Sequence, residues 1–126
     1  MANELTIGIS AKFQKSDGRP FEFDVAGILR SVTGNECVGP MRISVATTEQ
    51  ALQVPTGLTL AGALFVCQNI DFVNYMEIRS ATGASNDIIR VGPREVALFR
   101  WGSDITAPYL IANTAAVLFD YGMVEL

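Results

Sequence analysis

The chemistry available to this 126-residue chain rests on thirteen acidic residues, nine basic residues and two cysteines, with no histidine at all. Without histidine, neither a Ser-His-Asp nor a Cys-His relay can be assembled from the chain itself. The His-ligated metal sites of some barrel enzymes are excluded on the same ground. Cys37 and Cys67 lie 30 positions apart with no CxxC spacing, so no zinc site is expected. They are expected to be free and buried, with a disulfide as the alternative. Two carboxylates suffice for glycoside hydrolysis, and Asp71, Glu77, Asp87, Asp104 and Asp120 are available. No spacing among them selects a pair, and acids on strand faces and turns are usually solvated. No phosphate loop GxxxxGK[ST] and no GxGxxG occurs; the stretch 57–62 reads as a turn. The expectation is a protein that is not an enzyme, with no catalytic residue, no cofactor and no metal.

Some residues are better suited to contact than to catalysis. Trp101, between Arg100 and Gly102, suits a core or interface anchor, since Trp and Arg concentrate in protein contacts; a ligand-stacking role is the alternative. Arg79, Arg90, Arg94 and Arg100 can pair across strands with Glu77, Asp87 and Glu95, or with a partner. Candidate interface residues are Phe65, Tyr75, Phe99, Trp101, Tyr109 and Arg100. In Asn69-Ile70-Asp71-Phe72-Val73-Asn74 the Asn and Asp side chains are expected to bond local backbone at a strand-to-strand corner. A calcium site there is the minor alternative.

The elements that must position these residues read as strands almost throughout. Leu5, Ile7, Ile9, Ala11 and Phe13 alternate with polar or small residues, the period-two pattern of a half-covered strand. Ser16-Asp17-Gly18-Arg19-Pro20 is turn chemistry. Phe21, Phe23 and Val25 then alternate with acids, which predicts a hairpin. Gly34-Asn35 and Gly39-Pro40 punctuate the next stretch, and 41–46 reads as a strand. Residues 47–52 read as a turn or short strand rather than a helix, with Pro55 closing the segment. Further strands are expected at 63–70, 73–78, 87–91, 95–101, 109–112 and 115–121. Turns recur every 8–12 residues or so, the signature of an all-β antiparallel sandwich or jelly roll. With no repeat or linker, 1–126 reads as a single domain, with 1–3 as a candidate N-terminal arm.

Composition bounds the partners. The chain is 49% hydrophobic and 17% charged, with mean hydropathy +0.30, apolar for a domain this small. A net charge of −4 and scattered basic residues argue against a nucleic-acid partner. No apolar run approaches the roughly 18 residues that span a bilayer, so no membrane role is expected. The start Met1-Ala2-Asn3-Glu4 lacks a basic-then-apolar leader. Several later segments are apolar on both faces: Leu64 and Val66 against Phe65 and Cys67, and Val96 and Leu98 against Ala97, Phe99 and Trp101. A solvated antiparallel strand is apolar on one face only. With no amphipathic helix to provide cover, 62–121 is expected to contact another subunit. The competing expectation is that the N-terminal hairpin provides the cover.

The stretch from Gly62 to Arg79, with its Asn-x-Asp-x-x-Asn corner, resembles a pattern in small virion proteins of tailed bacteriophages. The Gly-Pro-Arg-Glu turn at 92–95, the Ala-Leu-Phe-Arg-Trp strand, Ala107-Pro108-Tyr109 and the closing strand ending in Tyr121 extend the likeness over 47–126. The resemblance implies a jelly-roll structural protein, and within that class a capsid decoration (cement) protein. It would be a homotrimer on the outer capsid surface, bound to the major capsid protein after assembly in the host cytoplasm. An acidic chain suits a surface away from packaged DNA, and a two-faced apolar sheet suits a trimer. An N-terminal strand could extend a neighbour's sheet. The alternative is a tail or head-fibre jelly-roll module that binds a host receptor or glycan through an aromatic shelf at Trp101, Tyr75 or Tyr109.

Overall fold

The computed structural model describes residues 4–14, 20–31 and 37–126. The candidate arm 1–3, most of the turn 16–20 and the Gly34-Asn35 break lie outside the described residues. The chain divides into two compact units, Met1–Thr33 and Gly34–Leu126, a division that the single-domain expectation did not draw.

In the first unit, β1 (Glu4–Gln14) and β2 (Pro20–Ser31) form a two-stranded antiparallel sheet. Its register sets Ile9 opposite Val25 and Ala11 opposite Phe23, with a shift between Ile7 and Ile9. Cross-strand partners share a face, so the alternation of apolar residues on β1 is continued by β2. Lys12 and Glu22 pair at 3.4 Å on the polar side.

The second unit is an antiparallel β-sandwich. Its strands are β3 (Cys37–Val45), β4 (Gln50–Ala51), β5 (Leu64–Asn69), β6 (Met76–Arg79), β7 (Asp87–Val91), β8 (Val96–Arg100), β9 (Tyr109–Ala112) and β10 (Val117–Val124). One sheet has the order β3-β10-β5-β8 and the other β4-β9-β6-β7. The direct antiparallel partners are nested: β3 with β10, β4 with β9, β5 with β8, β6 with β7. Two further ladders, β10 with β5 and β9 with β6, stitch the nested pairs into sheets.

Side-chain parity sets the core. On β10, Val117, Phe119, Tyr121 and Met123 point inward and are buried, while Leu118, Asp120, Gly122 and Val124 alternate outward. Phe65 and Cys67 on β5 and Ala97 and Phe99 on β8 line up with them across the ladders. From the other sheet come Met76, Ile78, Val91, Leu110 and Ala112. The loop between β4 and β5 adds Leu52, Leu58 and Leu60, and its Gln53 carbonyl accepts the Tyr121 hydroxyl at 3.1 Å. At the centre Phe65 contacts four rings: Trp101 at 5.2 Å, Phe99 at 5.3 Å, Tyr121 at 5.7 Å and Phe119 at 6.4 Å between centroids. These are the offset and edge-on geometries that aromatic quadrupoles favour.

Two sequence expectations change here. The strand expected from Val73 begins only at Met76. The Asp71 carboxylate takes the Val73 and Asn74 amides at 2.7 and 2.6 Å, and an amide held by a side chain cannot join a ladder. The alternative of a Cys37–Cys67 disulfide fails on register. Cys37 sits opposite Val124 and Cys67 opposite Tyr121, on either side of β10. Two strand spacings across and three residues along separate the backbones by roughly 14 Å, about twice a disulfide's reach. The segment 47–52 is a bend followed by the two-residue β4, fixed where Gln50 Oε1 accepts the Ala46 amide at 2.8 Å.

Phe65→Ala should cost about 3–5 kcal/mol, because it removes the ring around which the others pack. Phe72→Ala, the same chemical change at an exposed loop position, should stay within about 0.5 kcal/mol. Urea unfolding of the two variants checks both figures, and equal costs would disprove the assignment of Phe65 as the centre of the core.

Candidate interaction surface

The two sheets differ on their outer faces. On the β4-β9-β6-β7 side the face is laced with charge. Arg79, itself buried, lies on Glu49, donates to Asp87 at 2.6 Å and donates to Glu77 at 3.0 Å. Burial alone disfavours its charge, but the three carboxylates more than offset this and its pKa is raised. Beside it the Arg90 guanidinium covers the Tyr75 ring at 4.2 Å. The charges of this face are paired within it, while the Asn113 Oδ1 beside them is buried without a partner and Ile88 on β7 is exposed.

The outer face of the β3-β10-β5-β8 sheet carries the Arg42–Asp120 pair and Arg100 but also exposes large apolar side chains. Val66, Leu98 and Leu118 are exposed, and Val96 is 63% exposed. Val66 and Val96 line a groove of about 510 Å³ with Pro40, Gln68, Gly122, Val124 and Asp120. Gly122 projects no side chain from the middle of β10, opposite Val66. Next to it the β3–β10 ladder shifts register between Tyr121 and Met123. Gly39 meets that shift with φ +108°, and a Cβ there would lie 2.7 Å from the Tyr121 carbonyl. Only glycine fits such a conformation and approach. Arg42 and Asp120 form a two-pronged pair at 2.7 and 2.9 Å across the same ladder.

At one end of this sheet the chain turns through the 69–74 corner. Buried Asn69 donates to the Asn74 carbonyl at 2.8 Å and the Val91 carbonyl at 3.2 Å, and accepts the Asp71 amide at 2.9 Å. The backbone bonding expected for these side chains is what holds the corner. Asp71's carboxylate is occupied by two amides, and no group of three or more metal-ligating side chains occurs among the described residues. The corner presents Phe72 and Val73, 78% and 79% exposed, the most exposed large apolar residues among those described. Arg94, at φ +63°, binds the corner from the neighbouring turn: its amide donates to the Asp71 carbonyl at 3.1 Å and its guanidinium stacks on Phe72 at 4.9 Å. Glu95 does not pair with Arg94; its carboxylate accepts the Gly92 amide at 2.6 Å.

The six candidate contact residues therefore separate. Phe65 on β5 and Trp101, just after β8, are buried in the cluster between the sheets, for Trp101 the core side of its core-or-interface expectation. Trp101 Nε1 is buried without a hydrogen-bond partner. Phe99 is half-buried against the same cluster. Tyr75 lies under Arg90, and Tyr109 is half-buried on β9. Arg100 is exposed on the apolar sheet's outer face and donates to the Gly62 carbonyl at 2.9 Å. Of the three residues named for an aromatic shelf, Trp101 is buried and Tyr75 and Tyr109 are half-buried. The outward residues Val66, Val96, Leu98 and Leu118, with Phe72 and Val73, were not among the six named candidates, although they lie within 62–121 and Val66, Val96 and Leu98 had been assigned to an apolar face. No helix among the described residues is long and apolar enough to cross a membrane. No protein family, curated protein or solved structure matches this chain.

Two titrations follow from this geometry. The Asn74 and Val73 amides hold the Asp71 carboxyl below its ordinary pKa, and Arg42 does the same for Asp120. Depressed folded values stabilise the fold above the unfolded pKa of about 3.9, and that contribution is lost as pH falls through the folded value. Calorimetry should show the melting temperature falling on acidification below about pH 4, with a flatter acid limb in the Asp71→Asn, Asp120→Asn chain. An equally steep limb would place the acid sensitivity elsewhere. Burial pushes the Cys67 thiol up to about 12, so peptide mapping at pH 8 should find it unalkylated by iodoacetamide until the chain is unfolded.

Proposed function

We propose that this protein is a structural subunit that works by self-association through the outer face of its β3-β10-β5-β8 sheet. The observation that carries this reading is the contrast between the two outer faces. One pairs its charges internally, while the other exposes Val66, Val96, Leu98 and Leu118, the first two lining a groove. Several exposed large apolar residues on one face of a small domain favour an interaction site.

The nested pairing of β3 to β10 supports reading the sandwich as a jelly roll, the arrangement that a long hairpin of four strand pairs makes when rolled onto two sheets. Together with the corner-and-turn likeness over 47–126, this favours a capsid decoration protein of a tailed bacteriophage. In this reading a homotrimer sits on the outer capsid surface and bridges subunits of the major capsid protein.

Size-exclusion chromatography with light scattering should give a trimer for the wild-type chain at micromolar concentration. The Val66→Glu, Val96→Glu chain should run as a monomer with an unchanged circular-dichroism spectrum, since both positions are exposed. A wild-type monomer would remove the proposal. In purified virions, mass spectrometry should count the protein at a copy number comparable to the capsid subunit's; a handful of copies would move it to the tail.

A further inference from the structure

We propose that the pocket on the outer face of the β4-β9-β6-β7 sheet binds a neutral saccharide. It measures about 350 Å³ and is lined by residues of the sandwich. It does not draw on self-association through the other sheet, so the two readings stand or fall separately.

Strand parity builds the pocket. Tyr75, just before β6, shares the outward side with Glu77 and Arg79, while Met76 and Ile78 enter the core. β9 sets Ile111 opposite Glu77, and the Asn113 amide donates to the Tyr75 carbonyl at 3.2 Å. Ile111 and Asn113 therefore stand beside Glu77 and Tyr75 on one face. The Ala112 amide donates to the Ala46 carbonyl at 2.8 Å, which brings Thr47 against the end of β9. Ile111 supplies apolar surface, and Thr47, Asn113 and Thr114 supply polar groups.

What the pocket lacks is a donor. Asn113 lines it, and Asn113 Oδ1 is buried without a hydrogen-bond partner. A buried acceptor left unpaired is costly, so it requires a donor from outside the chain. Thr114 Oγ1 donates its proton to Asn74 Oδ1 at 2.6 Å, so it meets a ligand as an acceptor. Glu77 is a third acceptor, because Arg90 reaches its Oε1 only at 3.4 Å, beyond an ordinary hydrogen bond. One water would satisfy one acceptor, at about 30 Å³ per molecule. The pocket is more than ten times that size, within the roughly 300–1,000 Å³ of small-molecule sites.

Charge selects among ligands that donate. Arg79 is held by Glu49, Glu77 and Asp87, so an anion approaching it meets three carboxylates. Glu77 is paired with both Arg79 and Arg90, so a cation approaching it meets two guanidiniums. A ligand that donates several hydrogen bonds and carries no charge avoids both penalties. A sugar ring with adjacent hydroxyls has that chemistry, and its C–H face suits Ile111. Tyr75 is held under Arg90 at 4.2 Å, so this wall is set before binding, which lowers the ordering cost.

The test uses the full chain. Glucose, galactose, mannose and N-acetylglucosamine are titrated in turn, and amide shifts are followed by NMR. At least one sugar should give saturable millimolar binding with shifts confined to 47, 75–79 and 111–114. Asn113→Ala should weaken it at least about tenfold, the effect of losing one buried hydrogen-bond partner. The variant's melting temperature should hold or rise, because the deleted acceptor has no partner to lose in the free protein. No saturable shift with any of the four sugars, or shifts elsewhere, overturns the proposal and leaves the pocket to water. Binding undiminished by Asn113→Ala overturns it as well. If methylammonium or phosphate shifts these amides and the sugars do not, the pocket takes a charged ligand and the saccharide assignment falls. A monomeric wild-type chain that binds sugar this way would end the self-association reading and leave this one standing.

Discussion

Apolar side chains at both odd and even positions of β5 and β8 oblige one sheet to find cover twice. The inward set is covered within the chain. Phe65, Cys67, Ala97 and Phe99 meet Phe119 and Tyr121 across the ladders and Ile78 and Leu110 from the opposite sheet. The outward set, Val66, Val96 and Leu98, has no such layer within residues 37–126, and the groove at Gly122 interrupts the face it forms. Burial of apolar area is the main favourable term in folding and in association alike. The face left over after folding is therefore where association can draw its free energy. The opposite sheet differs: on its outer face Arg79 and Arg90 both pair with Glu77.

The 69–74 corner joins fold and surface. Asn69 is a fully buried polar residue, and such a residue persists only where its hydrogen bonds are made. Here it ties together the Asn74 carbonyl, the Val91 carbonyl and the Asp71 amide. The same bonds that satisfy Asn69 push Phe72 and Val73 into solvent. Exposed apolar residues on a loose loop would be a hazard for aggregation. On a corner held by Asn69, Asp71 and Arg94 they form a defined shape.

Much of this architecture is legible in the chain before folding, and the misreadings have local causes. Period-two alternation located most strands, because side-chain parity is a local property of extended backbone. It also separated the two faces of β5 and β8. Parity cannot say which face meets the second sheet, so Phe65, buried in the core, was read as a contact residue, and Val66 and Leu98 are the side chains β5 and β8 turn outward. The strand expected from Val73 failed because a side chain, Asp71, outcompeted the ladder for two amides. Strand order was beyond reach, since β3 and β10 meet across more than seventy residues. The groove had one local signal, glycine at position 122 within an apolar strand, where a missing side chain often marks a close approach.

The position of β10 has a further consequence. It lies between β3 and β5 and supplies Val117, Phe119, Tyr121 and Met123 to the centre of the molecule. During synthesis, β3 and β5 therefore emerge from the ribosome long before the strand that joins them. Until that strand arrives, each presents an unpaired edge, and pairing of such sequence separation is slow to form. The nascent chain thus passes through a long interval with open edges, and a stall late in translation would leave a product prone to pairing with its neighbours.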